Sequence, residues 1–468
     1  MVQARIGYTF RVFAAIYGHS VVENDAPNQT ISFTYGGSSS QARETGQIAI
    51  PARYRPWAPG NPPAPRKHRF ADEDFCLFFG LDETSNQPDW LGEIFEWLSS
   101  SQEMNGTARD SVGRIPFSET AFARHRISPR RPHASMLMAW LASVLPDGRV
   151  RQPLRKPPCP VEGAEHLVIC SHDIDYYYTD KASALVRLLK NLVIAYRLYR
   201  SWDFFQWNAM EILKLLRGER VAAYLPALLE ASQTKEFQST LFVVAHKLDR
   251  RDPNYTLEQI VPDLLQSRAK GFAIGIHGSY RSINDAGDLT AEVSAMSAKL
   301  GAKPRGGRQH YLRFASHEKL FNTIEQAGLQ YDSTLGFPDN IGFRNGAAFA
   351  FPPYDFQRER AHDFLEIPLV LMDGNLEVIC RQTGEQPAQA AGEIFQASRK
   401  WGWGGVALDW HNPIDPIQVP AAINKAFWEC LEDRAPYKEH WMDGDQFLRI
   451  CLKRYNSAGL LEGVRIDA

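Results

Sequence analysis

The sequence predicts an α/β fold, a parallel sheet or β/α barrel preceded by a smaller α+β region. Two observations predict it. After residue 165, short apolar runs rich in strand formers alternate with helical stretches such as Leu257–Gly271 and Leu289–Gly301. Two of those runs, Leu167–Tyr178 and Phe272–Tyr280, end in ionisable residues. A buried strand delivers its last residues to one rim of a sheet or barrel, where sites are built.

Taken in order, residues 1 to about 50 read as strand-like, for example Ile31–Gly37. Six prolines between Pro51 and Pro65 then forbid regular helix and predict an extended connection. From Asp72 to Pro146 the pattern is helical, clearest in Trp90–Ser100 and Ala134–Leu145. A second proline-rich break, Gln152–Gly163, marks the main boundary. These divide the chain into an α+β domain over 1–150, a linker over 151–164 and a barrel over 165–468. Within the barrel, strands are expected in Ser239–His246, Arg308–Phe314, Leu329–Phe337, Phe364–Met372 and Gly404–Asn412. A helical insert occupies about 180–235. Its segment 184–200 carries Leu185, Leu188, Leu189, Leu192, Val193 and Tyr196 at helical spacing, with Arg187, Lys190, Arg197 and Arg200 on or near the other face. Such a helix either packs on the barrel with its basic residues in solvent or makes a peripheral membrane contact.

At 468 residues, with 44% hydrophobic and 23% charged residues, the chain is long enough for two or three domains with a real core. The net charge of -2 excludes the basic field that bulk nucleic-acid binding needs. Eleven Trp, 17 Tyr and 26 Phe suit sugar stacking and a large core equally. The six cysteines show no CxxC pairing and read as reduced thiols. Neither a secretory signal nor an 18-residue apolar span is evident, so a cytoplasmic protein is expected.

The chemistry concentrates at strand ends. Asp173 and Asp175 are two apart, so on extended chain both carboxylates face one way and His172 the other. With His277 ending a second strand, Asp-x-Asp and His at one rim suggest a hydrolytic metal site. Trp410 and Asp409 beside His411 suggest a stacking and hydrogen-bonding rim. No Gly-x-Ser-x-Gly elbow, P-loop or dinucleotide-binding glycine pattern is present in the right context.

Five segments, in order over roughly 165–415, resemble the motifs of the polysaccharide deacetylases, the NodB-homology group of carbohydrate esterases. They are Ser171-His172-Asp173-Ile174-Asp175, His277-Gly278-Ser279-Tyr280-Arg281, Arg308-Gln309-His310-Tyr311, Tyr331-Asp332-Ser333-Thr334-Leu335-Gly336-Phe337 and Leu408-Asp409-Trp410-His411. The strings Arg308-x-His310-Tyr311-Leu312-Arg313 and Gly342-Phe343-Arg344-x-Gly346 are similar to a bacterial subgroup with a further N-terminal domain, a likeness reaching back to about residue 70. The resemblance implies the irregular (β/α) barrel of that family and removal of N-acetyl groups from an amino sugar of a bacterial surface or lipid-linked glycan. It implies a divalent metal, with zinc expected, held by Asp175 and His277. Asp173 would be the general base, Arg308 its orienting partner and His411 the general acid. The sequence departs from the family twice. Ile174 separates the two Asp, and Arg281 stands where a second His ligand is expected. The third ligand is therefore assigned to His310, with His172 or the second Asp as alternatives. Two other functions stay open: a non-catalytic carbohydrate-binding protein on a degenerate barrel, and a metal-dependent hydrolase of glycosidic or other amide bonds.

Overall fold

The computed structural model describes residues 1–18, 33–35, 48–50, 52–54, 65–70, 73–81, 87–103, 108–144, 154–175, 177, 181–199, 202–217, 224–253, 255–414, 420–461 and 463–464. Nine strands form one parallel sheet: β1 His166–Asp173, β2 Thr240–Val243, β3 Ala273–Gly278, β4 Gly306–Gln309, β5 Tyr331–Asp332, β6 Leu365–Glu366, β7 Leu369–Met372, β8 Gly404–Asp409 and β9 Glu439–Met442. Their order is β6-β5-β4-β3-β2-β1-β8-β7, and every pairing is parallel. β1 is long enough for two neighbours on one side: β9 pairs with His166–Ile169 and β2 with Ser171–Asp173.

The sheet curls into an incomplete barrel. β6 and β7 are the two ends of the strand path, yet only Ile367 and Pro368 separate them in sequence. Three peptide steps span at most about 11 Å, so the two edges must lie close together. Leu369 N donates to Leu335 O at 3.2 Å across this seam. All eight residues of β1 are buried, as expected of a central parallel strand covered on both faces. Helices such as Leu257–Ala269, Ala286–Leu300 and His317–Gln326 bury Leu264, Val293 and Ile324 in one core with Val168, Leu241 and Ile276 of the strands.

The first residues depart from the strand-like expectation. Val2–Tyr17 is a helix, because Ile6, Thr9, Val12, Phe13 and Ile16 recur at three- and four-residue spacing and are all buried. Gly18 closes it with φ of 71°, a left-handed position that glycine adopts without strain. Tyr8 donates to Pro352 O at 2.7 Å, and Trp403 donates to Ile16 O at 3.3 Å. Trp403 precedes β8, so this helix lies near the strand starts, at the end of the sheet opposite the strand termini. A second departure follows. Arg66–Phe70 and Glu73–Leu77 pair as an antiparallel hairpin, the second strand lying inside the stretch expected to turn helical at Asp72; Phe75, Cys76 and Leu77 of that strand are buried. The helices expected after it are present as Trp90–Leu98 and His133–Leu141. Residues 55–64 and 151–153, parts of the two expected connections, lie outside the described residues.

The insert forms a helical hairpin. Lys181–Ile194, continued by a π-turn over Ala195–Tyr199, packs against Trp202–Leu216. Its buried stripe is Ala184, Leu188, Asn191 and Ala195, which leaves Leu189, Val193 and Tyr196 of the expected inner face exposed. The helix is built to meet its neighbouring helix, through Leu188, Leu215 and Ile212, rather than the barrel.

The string Gly342-Phe343-Arg344-Asn345-Gly346 joins the early helices to the sheet. Gly342 has φ of 128°, and a Cβ there would stand 2.3 Å from Pro129 O. Phe343 N donates to Pro129 O at 2.8 Å, and Gly346 O accepts from Ala134 N at 2.8 Å. The Arg344 guanidinium donates to Glu103 at 2.7 and 3.0 Å, with His317 Nε2 3.4 Å from the same carboxylate. Burial pushes the Glu103 carboxyl up, but Arg344 and His317 outweigh it and hold it at about 2. A carboxyl lowered on folding contributes stability above its unfolded value and loses it as pH falls toward the folded one. Glu103→Gln should therefore cost about 3–5 kcal/mol in urea unfolding at neutral pH. Its stability should also change less than that of the wild type between about pH 4.5 and 2. Equal stability of the two proteins at neutral pH would contradict a fastening role.

Candidate functional site

The ends of β1, β3, β4 and β8 converge at one rim. β1 delivers Asp173 and, just past its end, Asp175; β3 delivers His277; His310 follows β4; His411 follows β8. Asp175 Oδ1 lies 3.6 Å from His277 Nε2 and 3.5 Å from His310 Nε2. Asp173 Oδ2 also approaches His277 Nε2, at 3.6 Å. The two Asp thus face the same way, as their spacing predicts.

Arg308 organises the layer beneath. Its side chain is fully buried, and one terminal nitrogen lies 2.8 Å from each of Asp173 Oδ1, Asp409 Oδ1 and Ser171 Oγ. Nε donates to Ser333 O and the other terminal nitrogen to Ser333 Oγ, both at 3.0 Å. Burial pushes the Asp173 carboxyl up, but Arg308 and then His277 outweigh it and hold it below its ordinary value. Asp409, 3.1 Å from Asp173 N, is driven the other way by burial and by the Asp173 charge.

Each histidine turns one nitrogen inward. His277 Nδ1 donates to Arg308 O at 3.0 Å, the tautomer assigned from that carbonyl, and Nε2 then offers its lone pair to the site. Burial and the neighbouring His310 hold His277 below its ordinary value. His310 Nδ1 faces Asp252 Oδ1 at 3.5 Å. Burial pushes His310 down, but Asp175 and Asp252 carry it to about 9, so a bound cation would displace a proton from it. Asp252 is itself held by the backbone N–H groups of Tyr280, Leu248 and Asp249 at 2.7 to 2.9 Å. His411 donates from Nδ1 to Asp373 Oδ1 at 2.8 Å and from its backbone to Asp373 Oδ2 at 2.8 Å. Its Nε2 lies 3.5 Å from Asp175 Oδ2. Burial opposes the His411 charge, but Asp373 and Asp175 raise it well above the ordinary value.

The Asp175, His277 and His310 group fits a divalent cation. Its ligand atoms lie within 4.8 Å of one another, and the buried Asp175 Oδ1 has no hydrogen-bond partner. Tetrahedral ligands with bonds of about 2.1 Å stand about 3.4 Å apart, close to the spacing here. A second group, Asp173, Asp409 and His411, also meets the spacing, but Arg308 already occupies Asp173 and Asp409. The backbone after β4 helps to aim His310. Tyr311 and Leu312 have φ of 64° and 53°, strained for non-glycine residues, and the Tyr311 ring lies 4.3 Å from the His310 ring.

Two expectations are corrected. His172 is no ligand: it is buried on the opposite face, with Nδ1 2.6 Å from Trp410 O and Nε2 3.2 Å from Ser239 Oγ. Trp410 makes no stacking rim; it is 1% exposed and packs 5.4 Å from Phe427, because it alternates away from Asp409. Arg281, at the position of the expected second His, is 65% exposed and reaches toward Asp249 at 3.8 Å. The ring of the next strand, His310, stands beside His277 in its place, 4.9 Å away. The sequence marks Asp373 as a polar residue near a strand end, in a supporting or structural role, and Asp409 as rim, but gives Asp252 no role. Asp409 carried a signal, as the last residue of an apolar strand. Asp252 lies in a turn and carried none.

No protein-family model and no curated protein matches this sequence. Solved structures similar to this chain include Puue allantoinase, at 12% identity over 64% of this chain and 97% of that one, with a TM-score of 0.39. The polysaccharide deacetylase Bc1974 from Bacillus cereus is similar at 9% identity over 59% and 91%, with a TM-score of 0.31. A family 4 carbohydrate esterase from Streptomyces lividans in complex with acetate is similar at 10% identity over 59% and 92%, with a TM-score of 0.29.

Proposed function

We propose that this chain is a metal-dependent hydrolase that removes N-acetyl groups from an amino sugar of a bacterial surface or lipid-linked polysaccharide. One observation carries the proposal. A buried carboxylate oxygen of Asp175 without a hydrogen bond faces two imidazole nitrogens, with Asp173, held below its ordinary value by Arg308, on one side and His411, held above its own by Asp373, on the other. Those are the parts that amide hydrolysis by water needs.

A divalent cation, zinc being expected, would be held by Asp175, His277 and His310, where it supplies Lewis-acid chemistry and a more acidic bound water. Asp173 takes the proton of the attacking water through Oδ2, since Arg308 engages Oδ1. Arg308 keeps that carboxylate ionised and in place. His411 gives its Nε2 proton to the departing amine, and Asp373 holds the ring so that Nε2 points inward. Tyr280 stands beside this cluster on Arg251 and Arg313, each guanidinium 4.4 Å from its ring, and its hydroxyl donates to Val112 O at 2.9 Å. Residues 108–117 therefore help wall the rim where a glycan would lie.

Metal analysis tests the proposal alongside acetate release from N-acetylated oligosaccharides. The wild type should carry about one divalent ion per chain and release acetate. Asp175→Ala should lose both, whereas Asp173→Asn should keep the metal and lose about 10²–10⁴-fold in kcat. A protein that binds glycan intact and carries no metal would instead be a carbohydrate-binding protein. Asp373→Asn supplies a separate check on the acid. With the Asp373 charge removed from beside the His411 ring, kcat should fall, metal content should stay, and the alkaline limb of the pH profile should move to lower pH. An unmoved limb would remove His411 from the acid role.

A further inference from the structure

The helical hairpin of Lys181–Ile194 and Trp202–Leu216 leaves apolar side chains in solvent on both of its helices. On the first, Val186, Leu189, Val193 and Tyr196 are about half exposed or more and recur at three- and four-residue spacing. They lie roughly half a helical turn from the buried stripe Ala184-Leu188-Asn191-Ala195 that faces the second helix. On the second, Trp202, Met210 and Leu213 stand similarly opposed to buried Asn208, Glu211 and Leu215. The outer faces of the two helices therefore point apart, where polar side chains are the rule.

We propose that this hairpin inserts its outer faces into the interface of an anionic lipid bilayer. A flat protein partner would cover one side of the hairpin, whereas apolar side chains on opposite sides are buried together in a fluid apolar medium. Tyr196 at 76% and Trp202 at 66% flank the junction of the two helices, with exposed Arg197 beside Tyr196, and Leu216 at 72% ends the second helix. Aromatic rings beside cationic side chains suit the headgroup level of a membrane. Charge points the same way. Residues 181–217 contain seven Lys and Arg against two Asp and Glu, a net +5 in a chain whose total is -2. Among the described residues no helix is long and apolar enough to cross a membrane, so the hairpin would lie at the interface. It starts six residues after Asp175, so docking would bring the site rim near the bilayer.

Co-sedimentation with vesicles of phosphatidylglycerol mixed with phosphatidylcholine tests this, with phosphatidylcholine alone as the uncharged control. The wild type should pellet with the anionic vesicles, and less so as salt rises. Tyr196→Ser/Trp202→Ser should weaken partitioning at least about tenfold. Lys190→Gln/Arg197→Gln should abolish the preference for the anionic vesicles. Both variants should keep the wild-type circular dichroism and acetate release from soluble oligosaccharides. A wild type that stays in the supernatant overturns the proposal. So does unchanged pelleting of the aromatic variant, or a wild-type dimer without vesicle binding that the aromatic variant converts to monomer.

Discussion

The site depends on a single buried charge. The Arg308 guanidinium has no exposed surface, and an isolated charge so placed would be prohibitively costly. It is met by Asp173 and Asp409, by the carbonyl and hydroxyl of Ser333, by Ser171, and by the Phe242 ring 4.5 Å away. These partners come from the ends of β1, β2, β5 and β8. In strand order β4 and β1 are three steps apart, about 14 Å along a flat sheet. A 2.8 Å contact between Arg308 and Asp173 is therefore possible only because the sheet curls. The same guanidinium that requires the curl also keeps the proposed base ionised.

Around that centre, three histidines obey one rule. His277, His310 and His411 each present Nδ1 to an oxygen of Arg308, Asp252 or Asp373, and each turns Nε2 toward Asp175. The outer oxygens differ in charge, and they add to burial and to the Asp175 charge in setting each imidazole. His277, against a neutral carbonyl, is held low, whereas His310 and His411, against carboxylates, are held high.

Much of this was legible in the sequence because strand periodicity is short-ranged. Leu167–Asp175, Phe272–His277 and Gly404–His411 each announce a buried strand with an ionisable end, and a curled parallel sheet brings such ends together, whereas Arg308 and His310 follow no apolar run and were singled out only by the motif resemblance. The partners that tune them were not legible. Asp252 sits in a turn, so its role follows from a loop path that no local pattern encodes; Asp373 follows the apolar strand Leu369–Met372, which marks it as a strand-end residue but does not name His411 as its partner. His172 and Trp410 show the reverse failure. Both neighbour site residues in sequence, and alternation along the chain sends both into the core. The hairpin misled for another reason: each of its helices carries two apolar stripes, and sequence alone does not say which one the protein buries.

X-ray absorption spectroscopy on the zinc-loaded protein reads the ligand set rather than the activity. The spectrum should show two imidazoles and one carboxylate, the remaining positions filled by water oxygen. His310→Ala should reduce the imidazole count to one. A wild-type spectrum with a single imidazole, or one that His310→Ala leaves unchanged, would contradict this ligand set.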